Sequence, residues 1–288
     1  QWRATEVESA ERGRVQAAWI LTGAPEWGRL ILREDARGGG PDHLGEPWAI
    51  GLQEARLSTF LTVDQQATTV EREAFLSGYI TDLQGKLNLA NLIDGNKVSE
   101  SAADAFERLF ERLGLDPAMV AGIANGLLKA GQGGVGGGDP QSPLAPRRLD
   151  QLGLLGVSPA MIEILRPHVT LLPMRTTLNL NTAGPEALYA TIPNLDVAGA
   201  QRIVSLREKS PYRGIQELIQ QMPGLQDSVT ATSHDVRSRF FEVRGRLRLD
   251  DLVIEERSVV QRDDMDVRTL WRERSASLGA RVTSPHLQ

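Results

Sequence analysis

Few residues in this chain have the types and spacing that chemistry needs. The four histidines, His43, His168, His234 and His286, are scattered, and none has a second ligand at helical spacing. Ser233-His234-Asp235 places a hydroxyl, an imidazole and a carboxylate in a row. A nucleophilic triad is assembled in space, however, so adjacency in sequence is not a signal. No Gly-x-Ser-x-Gly elbow occurs. The paired carboxylates Asp250-Asp251 and Asp263-Asp264 fall at turn positions, where solvation explains them. The glycine-rich run from 131 to 146 lacks a following Lys-Ser or Lys-Thr, has no apolar strand before it, and contains Pro140 where a phosphate cradle would need a helix. It reads as a flexible linker. An enzyme is not expected.

Two clusters of hard oxygen ligands remain, Asp94, Asn96 and Glu100, and Asp263, Asp264 and Asp266. Calcium takes six to eight oxygens, and neither cluster matches a full EF-hand loop. Turn chemistry accounts for both without a metal. No cysteine is present, which excludes a disulfide frame and a thiolate metal site. The net charge of -5 argues against a general binder of nucleic acid or anionic membrane.

The most organised stretch runs from Leu178 to Gly224. Asn181 and Thr182 are expected to cap a short helix with Pro185 in its first turn. A tight break at Ile192-Pro193-Asn194-Leu195 follows, and Asp196 caps a second helix. Its inward stripe is Ala200, Ile203, Val204 and Arg207. Ile215 to Met222 makes a third short helix, which Pro223-Gly224 ends. Upstream, Leu87-Asn88-Leu89-Ala90-Asn91 echoes Leu178-Asn179-Leu180-Asn181, and Leu115-Asp116 echoes Leu195-Asp196. Each Leu-Asp pair precedes an isoleucine, Ile123 or Ile203. The echo is a weak internal repeat.

This layout is similar to two families. One is the helix-hairpin-helix module of DNA-repair and DNA-uptake proteins. Such modules place glycines at the hairpin so that backbone N–H groups approach a phosphate, usually with a lysine following. Here Asn194-Leu195-Asp196-Val197-Ala198-Gly199 has lost those glycines, gained a carboxylate and lacks the lysine, so a phosphate would be repelled. The other is the K-type minor pseudopilin of type II secretion. The string from Ile80 to Leu92 (ITDLQGKLNLANL), with Leu171-Leu172-Pro173 and LNLNTA after it, strongly resembles that pattern over nearly the whole chain.

The remaining elements frame the helices. With 288 residues, of which 41% are hydrophobic and 24% charged, the chain is an ordinary globular one with room for two structural units. Residues 1–33 read as helix, and Glu34 to Pro47 as a loop. Ile50 to Val63 and Ala74 to Asp82 suit strands. Ser99 to Leu113 carries a stripe of Ala102, Ala105, Phe106, Leu109, Phe110 and Leu113, and a helix opened by Asp116-Pro117 ends near Ala130. Leu149 to Val169 returns to helix. From Arg239 to Leu249 the period becomes two, Leu252 to Arg262 is a less regular strand, and Asp264 to Arg272 alternates again. The tail from Ser275 has no pattern. Strands on both sides of a helical block are most simply joined in one sheet, which makes an α+β fold with an inserted all-α domain. The expected parts are 1–96, 97–234 and 235–288.

The resemblance implies more. The fold would be a pilin-like helix on an antiparallel sheet, with helix-hairpin-helix-like segments in the insertion. The protein would cap the tip of the pseudopilus with I-type and J-type minor pseudopilins in a 1:1:1 complex, above other pseudopilins of the shaft. It would support export of folded proteins from the periplasm across the outer membrane. Before assembly it would sit in the bacterial inner membrane through an N-terminal helix that this chain lacks, with the present part in the periplasm. Partner contacts would fall on the exposed face of the first helix, at Val7, Ala10, Arg14 and Trp19. The family also allows a structural calcium, though no cofactor is required.

Overall fold

The computed structural model describes residues 26–56, 74–133, 144–249 and 252–278. The chain divides into two compact units, one of residues 1–39, 45–81 and 239–288, the other of 40–44 and 82–238. Residues 82–96, grouped with the first strands in the sequence reading, thus lie in the helical unit.

In the first unit, residues 26–38 form α1. The strands are β1 (Leu52–Arg56), β2 (Ala74–Asp82), β3 (Phe240–Leu249), β4 (Leu252–Asp263) and β5 (Asp266–Leu278). They make one sheet in the order β1-β2-β3-β4-β5, so strands from either side of the helical block are neighbours. The pairs β1/β2, β3/β4 and β4/β5 are antiparallel. Phe241, Val243 and Leu247 of β3 are buried, as their period of two predicts. Glu242 departs from that pattern. It is 6% exposed, because Arg244 at 2.6 Å and Arg257 both pair with its carboxylate. The β4–β5 register shifts at Val259/Val260, where Leu270 of β5 is the extra residue of a bulge.

Leu32, Trp48, Ile80, Phe241, Val243, Val260 and Val267 form the core of this unit. The rings of Trp48 and Phe241 meet edge to face with centroids 5.2 Å apart. Helix and sheet approach closely at Gly28, where an added Cβ would stand 2.6 Å from Val243.

Two boundaries differ from expectation. α1 continues through residues 34–38, since Glu34-Asp35-Ala36-Arg37 are helix-compatible and the glycines begin only at 38. A largely buried ion pair from Arg262 to Asp35, at 2.6 Å, holds this last turn. Residues 275–278 are strand rather than patternless tail, because they pair with 252–255 of β4. Tertiary pairing decides that stretch.

The second unit holds α2 (Glu100–Arg112), α3 (Ala118–Gly133), α4 (Pro159–Leu165), α5 (Pro185–Thr191), α6 (Val197–Lys209) and α7 (Ile215–Gln221). Leu149 to Val169 is broken, with a 3-10 helix over Leu149–Leu155 before α4. Gly156, at φ 82, makes the turn between them. One continuous apolar cluster unites the helices, including Ala105, Phe106, Leu109 and Phe110 of α2 and Ala200 and Ile203 of α6.

The internal echo has a geometric counterpart. Leu87-Asn88 pairs in parallel with Val169-Thr170, and Leu178-Asn179 pairs in parallel with His234-Asp235. Each segment is thus opened by a Leu-Asn pair and closed by a two-residue bridge. Both asparagines are buried and accept a bond from the amide two residues on, Ala90 at 3.1 Å and Asn181 at 2.9 Å. Asp116 accepts from the amide of Ala118 and Asp196 from that of Gly199, so each Leu-Asp pair starts the next helix.

Candidate functional site

The α5–α6 turn is built for capping. Asn194 takes φ 63, and the Asp196 carboxylate accepts from the Gly199 amide at 2.7 Å. One glycine does remain at the turn, yet its N–H is already engaged by a negative group. An added Cβ there would lie 2.7 Å from Leu195 Cδ1 and 2.9 Å from the Asp196 carboxylate, so both side chains would have to shift. The donors that a phosphate would seek face a carboxylate instead. Asn181 and Thr182 do not cap α5, whose N-cap is Gly184. Asn181 instead bonds the backbone of Tyr212 through both amide atoms, at 2.8 and 2.9 Å.

Thr182 belongs to a buried polar cluster that the sequence reading missed. The Asp82 carboxylate accepts from Thr182 Oγ1 (2.6 Å), Ser238 Oγ (2.6 Å), Asn179 Nδ2 (3.0 Å) and the Gln84 amide (2.8 Å). Ser238 also donates its amide to Asp42 at 2.7 Å. Burial pushes the Asp82 carboxyl up to about 6, against the pull of these donors, and the neighbouring Asp42 adds to the rise. The legible signal was an asparagine inside each leucine-rich echo, a polar residue in an apolar setting.

His234 is buried as well, and burial drives its imidazole down to about 4. Its Nε2 lies 3.3 Å from Thr191 Oγ1, while Nδ1 has no partner among the described residues. The hydroxyl of the adjacent Ser233 contacts Thr230 at 2.6 Å rather than the imidazole. Sequence adjacency built no triad here.

The calcium candidates lie in ion pairs or at the surface. Asp94 pairs with Arg175 at 2.7 Å, and Asn96 and Glu100 are exposed. Asp263 pairs with Arg239 and accepts from Gln261 at 2.8 Å, which holds its carboxyl below the usual range. Asp264, at φ 52, and Asp266 are exposed at the β4–β5 turn. Val7, Ala10, Arg14 and Trp19 lie outside the described residues. Farther along, α1 presents Trp27, 38% exposed, and Leu30, 52% exposed, one turn apart.

Two family models, both described as type II secretion system protein K, match residues 85–174 and 178–237. Together they take in more than half of the chain. It belongs to the type II secretion system protein K family. The two matched spans coincide with the two segments that the Leu-Asn pairs open. The chain is 29% identical over 266 residues to type II secretion system protein K of Pseudomonas aeruginosa strain PAO1, covering 84% of this chain and 76% of the relative. Its fold matches a chain from the crystal structure of the GspK-GspI-GspJ complex of the enterotoxigenic Escherichia coli type 2 secretion system. The TM-score is 0.67 at 18% identity, over 94% of this chain and 99% of that one. Protein K is the K-type minor pseudopilin, so the chain is a component of a secretion machine. No helix among the described residues is long and apolar enough to cross a membrane.

Proposed function

We propose that this protein caps the tip of the type II secretion pseudopilus together with I-type and J-type minor pseudopilins. The likeness to a chain from the GspK-GspI-GspJ complex carries this reading. In that role it supports assembly of the pseudopilus and export of folded proteins across the outer membrane, by structure rather than catalysis. A hydrophobic helix on the N-terminal side of α1 would hold it in the inner membrane before assembly, with this part in the periplasm. Bulk favours an end position. Pilin subunits stack through their first helices, and a head enlarged by the unit of residues 82–238 is hard to repeat along a filament.

The exposed pair Trp27 and Leu30 gives α1 an apolar spot flanked by Glu26 and Glu34, as a helix that docks on neighbouring helices needs. Mixing the three heads and measuring mass by light scattering tests the reading. A stable 1:1:1 complex is expected, and Trp27→Glu with Leu30→Glu should dissolve it while the variant keeps its fold. A head that stays monomeric with both partners, or polymerises with itself, refutes it.

A further inference from the structure

The second unit carries a cleft with a mixed polar and apolar lining. Its volume is about 360 Å³, and it lies between α2, the 86–91 and 175–178 segments, the end of α5 and the 227–233 turn. Pockets that take a small ligand or a short piece of chain span roughly 300–1,000 Å³. A lone inorganic anion would leave most of this space empty.

Arg108 is the fixed point of the cleft. It rises half-buried from α2, and its Nε and Nη2 both donate to the carbonyl of Ala190, at 2.8 and 2.6 Å. Ala190 stands in the last turn of α5, where carbonyls lack helical donors and the helix dipole is negative. Two of the five N–H groups of the guanidinium are thereby used to orient it. Among the described residues no carboxylate reaches ion-pair distance of it, although Asp104 and Asp227 line the same cleft. Arginine stays charged at any ordinary pH, and its planar fork matches a carboxylate. A positioned, half-buried guanidinium without a carboxylate partner is prepared for an anionic group from outside.

The other walls restrict what that group belongs to. Lys86 and Arg175 line the cleft beside Asp104 and Asp227, a mixed wall that suits a short acidic chain, while the whole chain's net charge of -5 disfavours a long polyanion such as nucleic acid. Thr230 Oγ1 lies 2.6 Å from the Ser233 hydroxyl and 2.9 Å from that of Thr232, a row of groups that donate or accept equally. Such hydroxyls suit the alternating N–H and C=O of an extended chain, and Ala102 and Pro193 add apolar wall for small side chains. We propose that the cleft binds an acidic peptide segment of a partner protein, with one carboxylate on Arg108 and the backbone against the hydroxyl row.

The probe is acetyl-Ala-Ser-Glu-Ser-Ala-amide, titrated into the ¹⁵N-labelled protein by NMR beside its glutamine counterpart. Amides of 101–108 and 227–233 should shift with millimolar affinity, and the glutamine peptide should bind at least about tenfold more weakly, since the charge-assisted bond is lost. Arg108→Met should remove the response. Ser101→Trp fills the exposed rim without touching Arg108, and it should weaken binding as well. That second variant decides the matter if Arg108→Met does not fold. Equal binding of both peptides, undiminished binding to either folded variant, or no binding overturns the proposal. So does a trigalacturonate probe that binds in place of the peptide.

Discussion

Asp82→Asn measures what a fully buried carboxylate does to this fold. Four donors converge on Asp82 but, among the described residues, no cation does, and burial lifts its carboxyl from an ordinary 3.8 to about 6. The folded state therefore holds a proton that the unfolded chain releases between these values. Its stabilising effect is full below 3.8 and is lost as the pH rises through 6. Over that window the shift amounts to about 3 kcal/mol, of which about 2 kcal/mol falls between pH ~4.5 and ~7. Asparagine does not titrate. Urea unfolding followed by circular dichroism, on both proteins at both pH values, isolates the effect as a difference of differences. Relative to wild type, Asp82→Asn should be better by about 2 kcal/mol at neutral pH than at the acid one, whatever its cost at either. A gap that stays constant would show that the donors fully compensate for burial. A gap of opposite sign would show that they hold the carboxyl below its ordinary value.

His234 should act in the opposite direction, because its neutral form is the buried one: stability is full above 6.5 and is lost as pH falls toward 4. His234→Gln should narrow its gap to wild type by about 2 kcal/mol between pH ~6.5 and ~4.5, read from the same urea curves, and an unchanged gap would mean the imidazole reaches water. Ile203→Ala should cost roughly 2–4 kcal/mol, since its side chain is fully buried in the helical core. Asp196→Ala should cost only about 1 kcal/mol, as a lost cap, and thermal melts giving the reverse order would assign Asp196 another role.

Local pattern carried the α+β class, the alternation of β3, the buried stripes of α2 and α6, and the cap at Asp196, because each depends on residues a few positions apart. The two Leu-Asn echoes were also legible, since paired segments fold alike wherever they stand. Even the burial of Arg207 was marked by its place on the α6 stripe, and its guanidinium reaches the Leu180 carbonyl at 2.6 Å. Tertiary structure alone decided the rest. Asp42, Asp82, Asn179 and Ser238 are far apart in sequence, and no periodicity announces that four separate segments will turn polar groups toward one another. Residues 275–278 read as a tail until β4 supplied their hydrogen-bond partners. Arg108 is held in the wall of a cleft by the carbonyl of Ala190, a partner 82 residues away. Sequence period records which face of an element is apolar, but the partner that meets its polar groups is supplied only by the fold.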